Sequence, residues 1–179
     1  MNDEEILEKF NLPDSKNWAF QLLVKKYQKK VYYHIRRMVI DHDDTDDLVQ
    51  ETFIKVWKAL DKFQGQSALY TWIYRIATNE CLNFLAKKRR RFFIPMVDVE
   101  KELQSKVDND STITGDEIQK HFQKALLTLP EKQRLVFNMK YFDEMKYEEI
   151  SEVVGTSVGA LKASYHHATK KIEDYINKL

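Results

Sequence analysis

Apolar residues recur along this chain at steps of three and four, the period of one helical face, and polar breaks cut the recurrence into blocks. Trp18, Leu22, Leu23, Tyr27, Val31, Ile35 and Met38 predict a helix from Trp18 to Val39 with basic residues on its other faces. After the polar break Asp41 to Thr45, a second helix carries Leu48, Val49, Phe53, Ile54, Val56, Trp57 and Leu60. Asp44, Thr45 or Asp46 can cap it, and acids in its first turn complement the helix dipole. Gln64-Gly65-Gln66-Ser67 reads as a loop with Ser67 as N-cap of a third helix, through Leu69, Trp72, Ile73, Ile76, Ala77 and Leu85. These three helices are expected to share one core. From Ile94 to about Asp116 the period dissolves around Pro95 and net negative charge, which predicts a flexible linker, mobile rather than packed.

Helical spacing resumes at Ile118, Phe122, Ala125, Leu126 and Leu129. Pro130 and Glu131 mark a new helix start, and Leu135, Val136, Phe137 and Met139 lie within that helix. A turn at 143–146 leads into a short helix, Tyr147 to Val154, with Ile150, Val153 and Val154 inward. Gly155 stands where a sharp turn needs positive φ, and Thr156 or Ser157 can cap a final helix. In that final helix Val158, Leu161, Tyr165, Ala168, Ile172 and Ile176 form an apolar stripe. The opposite face carries Gly159, Ala160, Lys162, Ala163, His166 and His167. Helix, glycine turn, and a helix with one apolar and one small-polar face is the helix-turn-helix pattern. Small residues allow close approach to a major groove, and donors beside them reach base edges and phosphates.

Composition narrows the fold class to all-α: four glycines and three prolines among 179 residues are too few for the turns of a β fold. A 43% hydrophobic content suffices for two small helical domains with separate cores. The formal charge of +1 conceals segregated patches. Lys25, Lys26, Lys29, Lys30, Arg36 and Arg37 form one basic block and Lys87 to Arg91 an unbroken basic run, while Asp41 to Glu51 is acidic. Patches of opposite sign predict partners of opposite sign. Catalysis finds no support: Cys81 lies within an apolar helix, the five histidines lack zinc-ligand spacing, and no phosphate-cradling glycine loop occurs. No cofactor or metal is expected. The acidic N-terminus lacks a signal peptide's basic and apolar regions, and no apolar run nears the ~18 residues of a membrane span. A cytoplasmic protein without membrane insertion is expected.

Two ordered stretches resemble the sigma-70 family of bacterial RNA polymerase sigma factors, in its minimal extracytoplasmic-function subclass. One runs from Asp46 to Trp57 and on through Phe63 to Asn79; the other joins Leu129 to Phe137 with Tyr147 to Ser151. The resemblance implies a region-2 helical bundle over 1–93, a linker over 94–116 and a region-4 helix-turn-helix over 117–179. By it the partners are core RNA polymerase, through its β′ clamp helices and β flap, and promoter DNA, both duplex and single-stranded. Asp47, Gln50, Glu51 and Ile54 would touch the polymerase. Gln64, Ser67, Tyr70, Trp72, Arg75, Asn79, Asn83, Lys87, Lys88, Arg89 and Arg90 would hold the melted minus-ten element, stacking bases and neutralising phosphates without covalent chemistry. Ser157, Gly159, Lys162, Ala163, His166 and Lys170 would face the minus-thirty-five element. An anti-sigma factor is a further partner that the resemblance implies and no residue identifies. Ser164, His167 and Thr169 depart from the arginines common in the family, so the resemblance does not carry over which bases are read. A free-standing helix-turn-helix repressor would explain Tyr147 to Ile176 but leave the acidic helix, the 64–67 loop and the basic run without a role.

Overall fold

The structure, a computed structural model, describes residues 1–92 (side chains through residue 90), 103–107 and 117–178, and those residues contain no strand. Helices α1 (Asp3–Phe10), α2 (Lys16–Val39), α3 (His42–Ala59) and α4 (Leu69–Phe92) build a first lobe. Helices α5 (Glu117–Leu127), α6 (Glu131–Tyr141), α7 (Tyr147–Val154) and α8 (Val158–Ile176) build a second. The expected end of the first domain at 93, and most of the 94–116 linker, lie outside the described residues.

Local chemistry explains most boundaries. Helix α1, absent from the sequence reading, is nucleated by a reciprocal cap: Asn2 Oδ1 accepts from the Glu5 N–H at 2.8 Å, and the Asn2 N–H donates to Glu5 Oε2 at 2.9 Å. Its Ile6 and Phe10 are buried, and the Phe10 ring meets Trp57 edge-on at 5.4 Å. Because α1 covers that side of α2, the buried stripe of α2 runs through Ala19, Leu23, Tyr27, Val31 and Ile35. Trp18, expected in the core, is instead 47% exposed with Lys9 Nζ 5.5 Å from its ring centre. The cap of α3 is Asp41, ahead of the expected Asp44, Thr45 or Asp46; its Oδ1 accepts from the Asp44 N–H at 3.0 Å. That bond and a 2.9 Å contact with Lys106 hold the Asp41 carboxyl at a pKa of about 2. The cap position of α4 is Ala68, one residue past the expected Ser67: the helix starts at Leu69, and its first bond runs from the Trp72 N–H to the Ala68 carbonyl at 3.0 Å. Gly155 adopts φ 68° at the end of α7, and Ser157 caps α8 by accepting from the Ala160 N–H at 3.4 Å, both as expected.

Packing departs from the sequence reading at two places. Residues 103–107 form a helical turn, and its Leu103 and Val107 are buried with Ile40 and Leu127. This part of the expected unpacked linker is therefore packed: its two apolar side chains stand one helical turn apart on a single face. The lobes, expected to have separate cores, also meet. Ala125, Leu126, Leu129, Phe137, Ala168 and Ile172 form a core private to the second lobe. Leu135, Val136, Met139, Ile150, Val153 and Leu161, however, belong to one continuous apolar cluster with the core of the first lobe. Helix α6 is buried from Arg134 through Met139, all around its circumference, because one side faces α8 and the other α2.

Candidate polymerase and nucleic-acid interfaces

Helix α4 packs on α2, α3 and α7, which leaves one side to solvent. Arg75, Asn79, Asn83, Lys87 and Arg90 are all exposed there, at steps of four, four, four and three, and form one continuous polar stripe. At its upper end Trp72 is half-buried, its ring 5.1 Å from Phe63, beside the exposed loop Gln64 to Gln66. Gly65 turns that loop with φ 68°, and Gln66 Nε2 donates to Gln64 Oε1 at 2.9 Å. Ser67 is half-buried next to it. Loop, indole and stripe together offer amide donors, an aromatic ring and cations along one line, the groups that bind a single strand.

Three of the expected minus-ten residues sit differently. Tyr70 projects to the α2 side of α4, its ring 6.2 Å from Tyr27 and 4.3 Å from Tyr74, with Lys30 Nζ 5.3 Å from its centre. Burial pushes its hydroxyl up to a pKa of about 12. Lys88 lies 3.8 Å from Asp44, and Arg89 reaches across to Glu131 of α6. The side chain of Arg91, last in the basic run, is outside the described residues.

Helix α3 presents Asp47, Gln50, Glu51 and Ile54 on one exposed face. Ile54 is 51% exposed, with Gln50 and Glu51 one helical turn before it. An apolar knob with carboxylates along the turns before it is suited to a partner that combines an apolar socket with basic residues. The face is held from behind by buried Leu48, Thr52 and Val56, and Lys55 pairs with Glu80 of α4 at 2.5 Å.

Helix α8 packs on α5, α6 and α7 through buried Leu161, Ala168 and Ile172. Ser157, Gly159, Lys162, Ala163, His166 and Lys170 are all exposed on its free side. No atom lies within 4 Å of where a Cβ on Gly159 would point, so this end of the helix is open to close approach. Lys162 Nζ lies 5.8 Å from the Tyr147 ring, which keeps the cation near the turn. The three candidate surfaces remain distinct, but a cleft of about 250 Å³ between the lobes brings Asn79 of α4 together with Thr156 and Ser164 near the start of α8.

Sequence reasoning missed a buried polar group between the lobes: His34 and Arg37 of α2 with Asp143, just after α6. The signal was a histidine inside an apolar stripe, between Val31 and Met38 at helical steps of three and four. Among the described residues no three His, Cys, Asp or Glu side chains converge as a metal site, and no helix is long and apolar enough to cross a membrane.

Comparison with known proteins places the chain in a family. Residues 23–91 match the description Sigma-70 region 2, and residues 120–172 match Sigma-70, region 4. The chain is 33% identical over 187 residues to the ECF RNA polymerase sigma-E factor of Escherichia coli (strain K12), covering 100% of this chain and 96% of that one. It is also 33% identical to the RNA polymerase sigma-H factor of Pseudomonas aeruginosa, over 99% of this chain and 95% of the relative. Two solved structures share the fold. The sigma factor RpoE of Bartonella quintana, in complex with the anti-sigma factor NepR, has a TM-score of 0.69 at 21% identity, covering 88% of this chain and 96% of its own. CnrH, in complex with the cytosolic domain of CnrY, has a TM-score of 0.67 at 23% identity, covering 90% of each chain. Matched end to end with sigma factors, and carrying both of their signature regions on its two lobes, the chain belongs to the extracytoplasmic-function branch of the sigma-70 family, the transcription initiation factors that direct RNA polymerase to promoters.

Proposed function

We propose that residues 1–93 dock on core RNA polymerase and hold the melted minus-ten element, that residues 117–179 read the minus-thirty-five element, and that residues 94–116 tether the two. In this reading Asp47, Gln50, Glu51 and Ile54 meet the β′ clamp helices, and the second lobe sits at the β flap. Gln64, Ser67 and Trp72 line the capture of an unpaired base; Arg75, Asn79, Asn83, Lys87 and Arg90 track its strand. Lys88 and Arg89 join them once their acidic partners release them. Tyr70 supports the capture loop from behind, where its ring stack braces the start of α4. Ser157, Gly159, Lys162, Ala163, His166 and Lys170 enter the major groove. The protein acts by binding energy and not as an enzyme: its thiol, Cys81, is fully buried and its pKa is pushed far up by that burial. Its place of work is the cytoplasm, and an anti-sigma factor that masks the docking surfaces is a partner of the same kind as NepR is for the sigma factor RpoE.

The observation that carries this reading is the α4 stripe. Amphipathic helices usually expose mixed charge, whereas this exposed line holds three cations and two amides with no acid among them, next to a half-buried tryptophan. Run-off transcription with purified core polymerase tests it. The chain plus core should initiate at defined start sites that core alone ignores; no initiation at any site of a genomic template would refute the reading.

A further inference from the structure

We propose that the cleft walled by α2, the start of α4 and the turn after α6 is a binding site for a nucleoside phosphate, with Lys29, Lys30 and Arg37 holding the phosphate and Glu144 the amino group of the base. The cleft measures about 300 Å³, at the lower end of the usual range for small-molecule sites. Its walls combine three kinds of group. Lys29, Lys30 and Arg37 supply cations, Tyr33, Tyr70 and Phe142 supply one ring from each wall, and Asp143 and Glu144 supply carboxylates. The positive charge has its origin in α2, which from Lys16 to Val39 carries seven lysines and arginines and no acid. That basic block takes no part in the proposed function.

Ion pairing decides which of these charges are free to meet a ligand. Elsewhere on α2, Lys16 pairs with Asp61 and Lys26 with Asp3. Arg37 donates through Nη1 to Asp143 at 2.7 Å and lies 4.5 Å from the Phe142 ring centre, which fixes its guanidinium in the wall. Among the described residues Lys29 has no carboxylate partner, and neither has Lys30, whose Nζ lies 5.3 Å from the Tyr70 ring centre. Two adjacent lysines without a carboxylate are groups that a phosphate neutralises. The Tyr70 ring beside them is braced by Tyr74 at 4.3 Å, and Tyr33 is 46% exposed, so both offer faces on which a base can stack. Glu144 brings the opposite sign. It is exposed, has no ion-pair partner among the described residues, and sits at φ 53°, in the left-handed region that favours glycine. Glycine would make this turn without strain, so glutamate sets a carboxylate at the cleft against its backbone preference. That acid decides the kind of ligand. A continuous strand would bring phosphates against Glu144, whereas the exposed α4 stripe proposed to track one holds no acid. Inorganic phosphate would leave the rings and Glu144 without a role. A single nucleotide satisfies all three groups, because the amino group of a base donates to a carboxylate.

Calorimetric titration of the full chain with two nucleotide pairs tests the site: cytidine against uridine monophosphate, and adenosine against inosine monophosphate. Within each pair the size is the same and an amino group is replaced by a carbonyl. The amino member of at least one pair should bind about tenfold or more tighter than its partner, its own nucleoside and inorganic phosphate. Lys29→Ala with Lys30→Ala, both exposed, should weaken that nucleotide by about tenfold or more at unchanged helical circular dichroism. Lys25→Ala, exposed on α2 outside the cleft, should leave its affinity unchanged and so controls for net charge. Glu144→Gln should abolish the amino preference, because an amide both donates and accepts. No binding by any of the four nucleotides, equal binding of nucleotide and inorganic phosphate, an equal loss in Lys25→Ala, or an amino preference that survives Glu144→Gln would each overturn the site. A short single strand of DNA that binds here while mononucleotides do not would assign the face to nucleic acid and overturn it as well.

Discussion

Replacing Arg75, Lys87 and Arg90 together by alanine removes the exposed cations of the α4 stripe while leaving its buried faces untouched. If each neutralises one phosphate of a single strand, the slope of log affinity against log salt falls by ~0.7 per residue, about 2 in all. Between about 50 and 200 mM salt the logarithm changes by ~0.6, so wild-type holoenzyme should lose roughly 20-fold more affinity over that range than the variant does. Fluorescence anisotropy of reconstituted holoenzyme on a fork-junction DNA, duplex upstream and single-stranded at the minus-ten position, measures both slopes. Lys25, exposed on α2 away from the stripe, provides the control: its alanine variant should keep the wild-type slope. Parallel lines for wild type and triple variant would refute the phosphate role. An equal fall for Lys25→Ala would show that net charge, and not this stripe, sets the salt dependence.

Asp47→Ala, Glu51→Ala and Ile54→Ala combined should weaken core-polymerase binding by tenfold or more in a pull-down titration, and should leave the melting temperature within a few degrees because all three side chains are exposed. Gly155→Ala should cost about 1 kcal/mol in urea unfolding, since its φ of 68° strains any side chain although no atom lies within 4 Å of the new Cβ. Asp41→Asn keeps a good cap but removes the charge that meets Lys106. The folded-state pKa of Asp41, about 2, lies below its ordinary value of 3.8, so its ionised form adds stability above pH 4 that is lost as pH falls toward 2. The melting-temperature gap between wild type and Asp41→Asn should therefore be largest above pH 4 and close by pH 2; a gap that stays constant would mean the charge contributes nothing.

Much of the fold and of the candidate surfaces could be read from residue order because they depend on local periods. The recognition helix needed only an apolar stripe, a glycine with positive φ and a capping serine, all within residues 150 to 176. The α4 stripe needed only register: Arg75, Asn79, Asn83 and Lys87 recur at steps of four. The same arithmetic would have set Tyr70 apart, since five residues at ~100° each place it about 140° around the helix from Arg75. Helix α1 escaped because an eight-residue acidic segment reads as a solvated tail unless the Asn2 and Glu5 cap is weighed with Ile6 and Phe10. Trp18 was misassigned because α1, once present, turns the buried stripe of α2 toward Ala19.

The seam escaped for a deeper reason. Helix α6 has Arg134 and Asn138 where an amphipathic pattern predicts a solvated side, yet both are buried along with everything from Leu135 to Met139. Polar residues at steps of four look like surface until a partner covers them, and here the covering residue is Met38, about a hundred positions upstream, with His34 and Arg37 beside it. Periodicity reports which side of a helix avoids water in its own lobe; it carries no information about a second body that docks on the other side. What local reasoning can detect is the excess. Leu135, Val136 and Met139 stand outside the private core around Phe137 and join the cluster that continues into the first lobe. An apolar surplus on a helix whose remaining face is arginine and asparagine therefore marks a surface that a second body covers, here the first lobe through Met38.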